Sequence, residues 1–262
     1  MLHPLSLPAK HDVERLIGPD TPARPRAVAV LDGQLTGRAW ADDPDEPRAV
    51  LVLEDADGTV YGGGALTPAA VAAALDGVRT ASGDLIFGFS GPGDPIRSMM
   101  PTVPYWRGEA VDFTDRVPPE DDLAMSAPRL PEGVRVVRLD GSLLPLTEWY
   151  EDTLHAFGSV ERWEALAVGF AVMAGDRMLA EALAGPRCRG MLEMGVVTRE
   201  DQRRRGYGTL VSRLTARACE AEGDRVWWNA NASNAPSVAI ARRIGFTRER
   251  RYELVACHAS RS

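Results

Sequence analysis

"VVTREDQRRRGYGTLV", residues Val196 to Val211, decides how the rest of this chain is read. An apolar run ends at Thr198, a polar turn carries Arg203, Arg204 and Arg205, and Gly206 and Gly208 open a stretch that runs to Gly223. That stretch, "GTLVSRLTARACEAEG", has the apolar spacing of a helix. The first N–H groups of a helix have no intrahelical partners, and its dipole places partial positive charge at that end. Glycines let an anion come close to the backbone, and guanidiniums add charge-assisted bonds. The turn is therefore built as an anion cradle. Taken alone, a basic surface turn before a glycine-rich helix start accounts for it better.

The flanks change that balance. Upstream, "GMLEMGVVT" is apolar on both faces and reads as a central strand. Before it, "VGFAVMAGDRMLAEALAG" reads as a hairpin turning at Ala174–Arg177, residues Ser142 to Leu166 as helical with a break at Gly158, and "VRVVRLD" as a strand. Downstream come a strand, "RVWWNAN", a helix, "APSVAIARRIGF", closed by Gly245, and a last strand, "RERRYELVAC". Asparagine occurs at 229, 231 and 234 and nowhere else, and Lys10 is the only lysine, a bias of GC-rich genomes. Asn234 stands just ahead of the helix near Pro236, where a short amide caps N–H groups.

The segment Val117 to Gly133, rich in proline and acidic residues, reads as a linker. It divides the chain into 1–128 and 129–262. In the first half "RAVAVLDG", "RAVLVLEDADGTVYGGG" and "GDLIFGFSG" read as strands, with "DADG" a hairpin turn. "TPAAVAAALDGV" reads as a helix capped by Thr67, with Pro68 in its first turn. The glycine-rich "GFSGPGDP" (Gly88–Pro95) reads as a plain turn, because its prolines remove backbone donors.

A length of 262 residues, 45% hydrophobic, suffices for a proper core. A net charge of −7 argues against nucleic acid and anionic lipid as partners and is compatible with a cationic substrate. The first residues lack the basic head and apolar run of a signal peptide, and no apolar run has the length of a membrane span, so a cytoplasmic location is expected. Cys188, Cys219 and Cys257, like the four scattered histidines, show no disulfide or metal-ligand spacing.

Arg203-x-x-Gly206-x-Gly208 after a strand ending in Thr198 resembles the acetyl-CoA pyrophosphate loop of the GNAT (GCN5-related) N-acetyltransferase superfamily. Asn234-x-x-Ser237 followed by Gly245-Phe246 is similar to that superfamily's segment beside the pantetheine arm. More narrowly, the tryptophan strand, "NAPS" and "RRIGF" resemble the zwittermicin-resistance-type GNAT subgroup, a bacterial group. The resemblance implies an α+β fold: a C-terminal GNAT fold with a mixed, mostly antiparallel sheet flanked by helices, preceded by a degenerate GNAT-like half without a coenzyme motif. It implies an acyltransferase of class EC 2.3.1 that moves an acetyl group from acetyl-CoA to a primary amine of a small molecule, as a monomer or homodimer. It also leaves a non-catalytic acyl-CoA sensor or scaffold open.

The resemblance assigns the coenzyme to Val196, Val197, Thr198, Arg203, Arg204, Arg205, Gly206, Tyr207, Gly208, Thr209, Asn234 and Ser237, with the Val197 N–H facing the carbonyl oxygen. Asn229 and Asn231, at the end of the tryptophan strand, bond the pantetheine or substrate, or else satisfy the turn's own backbone. Glu193, a lone carboxylate in an apolar strand, is the candidate base, or else a structural partner of an arginine. Many GNATs carry a tyrosine acid where this chain has Ala241; Ser237 and Tyr252 are the candidate replacements. Trp149, Tyr150 and Glu151 combine aromatic faces with a carboxylate, a composition suited to a cation, or else form an ordinary amphipathic helix.

Overall fold

The structure, a computed structural model, describes residues 1–9, 13–19, 21–89, 97, 100, 104–119 and 130–259. The expected boundary at 128/129 and most of the "GFSGPGDP" turn and of the Val117–Gly133 linker lie outside them. The chain forms two compact units. The first comprises Met1–Ala110, His155–Gly158 and Arg251–Ser262; the second comprises Val111–Leu154 and Ser159–Arg250.

In the first unit, β1 (His3–Pro4), β2 (Gly37–Ala41), β3 (Ala49–Glu54) and β4 (Thr59–Gly64) follow one another antiparallel. β5 (Asp84–Phe89) then joins β4 in parallel through two pairs, Thr59↔Ile86 and Val60↔Phe87. The crossover is α2 (Pro68–Leu75), where the Thr67 side chain accepts from Ala70 N–H as expected. The last strand of the chain, β12 (Phe246–His258), runs antiparallel to β5 from Glu253↔Phe89 to His258↔Asp84. Leu51, Leu53, Phe87, Phe89 and Val255 form the centre of this core.

The run "RAVAVLDG", expected as a strand, is instead part of helix α1 (Arg24–Leu31). Ala27 to Leu31 are all buried, and a short apolar run buried on every side carries no period to separate helix from strand. Pro25 in the first turn is the local signal for the helix. Arg26 on this helix meets the fully buried Glu54 of β3 through a bidentate ion pair.

In the second unit the strand order is β6–β11–β10–β9–β8–β7, where β6 is Trp106–Arg116, whose second half belongs here. β7 (Val134–Arg138), β8 (Val168–Ala174), β9 (Arg177–Ala184) and β10 (Met191–Thr198) are antiparallel neighbours. β11 (Arg225–Asn231) is parallel to β10 through the crossover helix α5 (Tyr207–Ala221). α6 (Ala235–Arg243) follows β11. The helical region before β8 is a 3-10 turn at Leu144–Leu146, then α3 (Tyr150–Phe157) and α4 (Val160–Leu166), separated as expected at Gly158, whose φ is 81°.

α5 and α6 bury their apolar sides on one face of this sheet, around Trp228, Phe246, Ile244 and Val211. All three cysteines of the chain are buried and unbridged. Among the described residues no helix is long and apolar enough to cross a membrane.

Candidate functional site

The parallel ladder between β10 and β11 is short. It pairs Met191 with Arg225 and ends at Met194 with Trp228, yet β10 continues to Thr198 and β11 to Asn231. β10 keeps its other neighbour throughout: Gly195, Val196, Val197 and Thr198 pair with Leu183, Ala182, Glu181 and Ala180 of β9. The result is a fork. Along Gly195–Thr198 the backbone groups on the β11 side have no ladder partner, an arrangement that asks for an outside one.

The cradle stands at the tip of this fork. α5 begins at Gly206 (φ 82°, the left-handed region), and no side chain caps it. Arg203, Arg204 and Arg205 are exposed, and none has a carboxylate partner among the described residues. Arg177 and Arg199 of the same neighbourhood, by contrast, are paired with Asp201. Gly208 is tightly enclosed: a Cβ there would lie 2.7 Å from Thr198 Oγ1, 3.3 Å from Ile240 Cδ1 and 3.6 Å from Val196 Cγ2. Only glycine lets the helix start, the end of β10 and α6 meet this closely. Uncapped amides, guanidiniums without a carboxylate partner among the described residues and an open strand edge together fit a long, phosphate-bearing ligand; Arg203 Nε also donates to Thr198 C=O at 3.4 Å.

Strand alternation sorts the remaining residues. Val196 and Thr198 face α5. Glu193, Gly195 and Val197 face the other way, and there Trp149 lies on Gly195, with two ring carbons 2.9 Å from where a Cβ would be. Tyr150 is half-buried and Glu151 exposed at the start of α3. Glu193 is half-buried, and its C=O accepts from Gly185 N–H. It sits opposite Trp227, inside the paired part of the fork.

The three asparagines have separate duties. Asn234 caps α6, its Oδ1 accepting from Ser237 N–H at 3.3 Å. Asn231 Oδ1 accepts from the N–H and hydroxyl of Ser233, closing the turn. Asn229, the first β11 residue beyond the ladder, donates through Nδ2 to Asp112 Oδ1 at 2.7 Å. Asp112 is 1% exposed and also receives Arg250 Nη2 at 3.2 Å. Ser237 Oγ accepts from Trp228 Nε1 at 3.1 Å, which leaves its own hydrogen to be given elsewhere. Ala241 is fully buried. Tyr252 belongs to the first unit, buried, with its ring edge near Gly88.

Two residues of this region escape the sequence reading. Asp112 lies in "GEAVDFTDR", a strand with no turn signal of its own to announce it. Glu181, in "RMLAEALA", gave the same signal as Glu193, a lone carboxylate in an apolar strand, and belonged beside it as a candidate. It is 2% exposed, and its Oε1 accepts from Glu148 N–H at 2.9 Å. Burial pushes its carboxyl up to about 7; the bond from the Glu148 amide offsets part of this, and the Glu148 charge adds to the rise.

The first unit treats its own parallel pair differently. The turn "GGGALT" before α2 has no arginine, and Thr67 and Pro68 occupy the helix entrance. At Gly63 a Cβ would come 1.9 Å from the carbonyl oxygen of Leu16, so the N-terminal segment lies directly on β4 there.

A family model described as GNAT acetyltransferase matches residues 20–255. The fold is shared with a GCN5-related N-acetyltransferase-like protein from Streptococcus suis 89/1591, at a TM-score of 0.70 and 18% identity over 93% of this chain and 97% of that one. It is also shared with a tandem GNAT protein from the clavulanic acid biosynthesis pathway, at a TM-score of 0.59 and 16% identity over the whole of both chains. A curated relative, the uncharacterized N-acetyltransferase YdfB of Bacillus subtilis (strain 168), is 24% identical over 120 residues. That match spans 45% of this chain and 46% of the relative.

Proposed function

The chain belongs to the GNAT acetyltransferase family, and from that premise we propose that it transfers an acetyl group from acetyl-CoA to a primary amine of a small molecule. The observation that carries this reading is the fork: two parallel strands that part after Met194 and Trp228, with an uncapped, arginine-flanked helix opening at its tip. Proteins of the family generally use acetyl-CoA. In this reading the second unit, which holds most of 129–262, takes the coenzyme, and the half 1–128 does not.

The residues divide the work as follows. Arg203, Arg204, Arg205 and the N–H groups at Gly206, Tyr207, Gly208 and Thr209 hold the diphosphate. Val196 and Thr198, whose backbone groups face the gap, offer this open edge to the pantetheine and an N–H to the acyl oxygen; Val197, expected from the sequence to do the latter, instead turns its N–H and C=O toward Glu181 of β9, in step with the Arg199 N–H that bonds Leu179. Asn229 is anchored by its Nδ2 on Asp112, which fixes its side chain on the β11 arm of the fork. Asn234 fixes the start of α6, and Asn231 the turn before it. The bound coenzyme supplies an activated acyl group.

The acceptor approaches from the opposite face, where Trp149 presents its ring and Tyr150 and Glu151 follow on α3. Two carboxylates on that face, Glu193 and Glu181, are available to remove its proton. Ser237, whose oxygen is occupied by the Trp228 indole, donates toward the leaving sulfur. Holding both reactants in one fork lowers the barrier by orientation.

A second reading, a coenzyme-binding sensor without turnover, is favoured by the buried Ala241 where many GNATs carry an acid. Thiol release from acetyl-CoA with a panel of primary amines separates the two. Turnover with at least one amine supports the transferase. Tight coenzyme binding by calorimetry with no turnover across the panel supports the sensor, and absence of binding removes both.

A further inference from the structure

The acceptor face holds an ionisable group on β9, one strand across from the fork and level with its open stretch. Glu181 on β9 is the register partner of Val197, the second residue from the end of β10, so the two side chains share a face. Trp149, on Gly195, belongs to that face too, and its neighbour Glu148 gives its N–H to the Glu181 carboxylate. Glu181 Oε2 has no partner among the described residues, although the side chain is almost wholly enclosed. Glu193, by contrast, lies four residues back along β10, where β11 is still paired.

We propose that Glu181 is the catalytic proton acceptor for the amine substrate. The inference rests on the transferase reading and deepens it. Oε2 takes one proton from the substrate ammonium, leaving a neutral amine with its lone pair available. That pair forms the C–N bond as the C–S bond breaks. The second N–H proton ends on sulfur, and Glu181 returns its own to solvent before the next turnover. The acceptor class follows: a cation that carries at least two protons on nitrogen, small enough to pass Trp149.

The surroundings suit the task. β10 offers Val197 beside Glu181 and β8 (Val168–Ala174) offers Ala171, neither of them charged. Glu148, exposed, is the charged group that acts on it from the segment before α3, and no arginine is paired with it among the described residues. Enclosure holds the carboxyl near neutrality, where a base is both ionised and strong enough.

The test is Glu181→Gln, which keeps an acceptor for the Glu148 amide. With the best amine of the panel, kcat/KM is expected to fall by about 10²–10⁴-fold and to lose its rise with pH near 7, while the Kd for coenzyme A stays within about threefold. Infrared spectroscopy of the coenzyme-free protein gives a readout independent of turnover. Wild type should show a protonated-carboxyl stretch that disappears as pH rises past 7 and that remains in the wild-type-minus-Gln difference, in which Glu54 cancels. Glu181→Asp, which retains a carboxylate but withdraws it, should keep the pH limb at a lower rate; it also decides the matter should the Gln variant fold poorly.

An active wild type whose Gln or Asp variant retains kcat/KM within threefold, or whose pH limb moves only on replacing Glu193, overturns this assignment and leaves the transferase intact. A wild type that binds coenzyme and turns over no amine sinks the transferase reading itself.

Discussion

Glu181→Gln also carries a prediction about stability that needs no substrate. The carboxyl has an ordinary value of 4.5 and is raised by burial to about 7 in the folded protein. Below pH 4.5 it is protonated in both folded and unfolded chains. Between 4.5 and 7 the unfolded chain releases this proton and the folded one retains it, so rising pH favours unfolding. Above 7 both are ionised and the penalty is constant. Each unit of pKa difference is worth about 1.36 kcal/mol, so the wild type should lose about 3 kcal/mol across this window through this one group.

Glutamine has no such loss. The stability difference between variant and wild type should therefore grow by about 3 kcal/mol in favour of the variant from pH 4.5 to 8. Glu54, also raised to about 7 by burial, titrates in both proteins and cancels. Urea denaturation followed by tryptophan fluorescence is the assay, since Trp149, Trp163, Trp227 and Trp228 all lie in the second unit. Two pH profiles that run parallel within about 0.5 kcal/mol, the ordinary scatter of surface substitutions, would refute the reasoning.

Other expectations follow from the cradle and its supports. Replacing Arg203, Arg204 and Arg205 with alanine should weaken coenzyme A binding by about 100-fold at low salt, and calorimetry at high salt should show the gap narrowing. Gly208→Val drives a Cβ to within 2.7 Å of Thr198 Oγ1; thermal denaturation should show a loss of about 1–3 kcal/mol, and coenzyme should no longer raise the melting temperature. Asp112→Ala removes the acceptor that holds Asn229 and Arg250; stability should fall by about 2 kcal/mol or more in urea titrations. Asn234→Ala deletes the α6 cap and should cost about 1 kcal/mol by the same measurement.

The parts of this fold written in short-range signals were legible. The α2 cap at Thr67, the break at Gly158, the hairpin turn at Ala174–Arg177 and the Asn234 cap each depend on neighbours within a few residues, and each is where the sequence puts it. α1 was misread as a strand because a buried helix shorter than three turns shows no polar face. The partners of Asn229 and the address of Tyr252 were out of reach for another reason. Asp112 is 117 residues from Asn229, and β12 crosses from one compact unit to the other between Arg250 and Arg251. Long-range pairing of this kind leaves no periodic trace. Glu181 carries the same local signal as Glu193, and only the register of β9 against β10 shows which of the two is level with the open stretch of the fork.

The route of β12 bears on how the protein is made. When residues 1–110 have left the ribosome, the first unit still lacks Glu253–His258, the strand that covers the flank of β5. A bare strand edge with Phe87 and Phe89 behind it is exposed for as long as the whole second unit takes to be synthesised. The portion born first is thus finished last, and a deletion at the carboxyl end would injure the amino-terminal body.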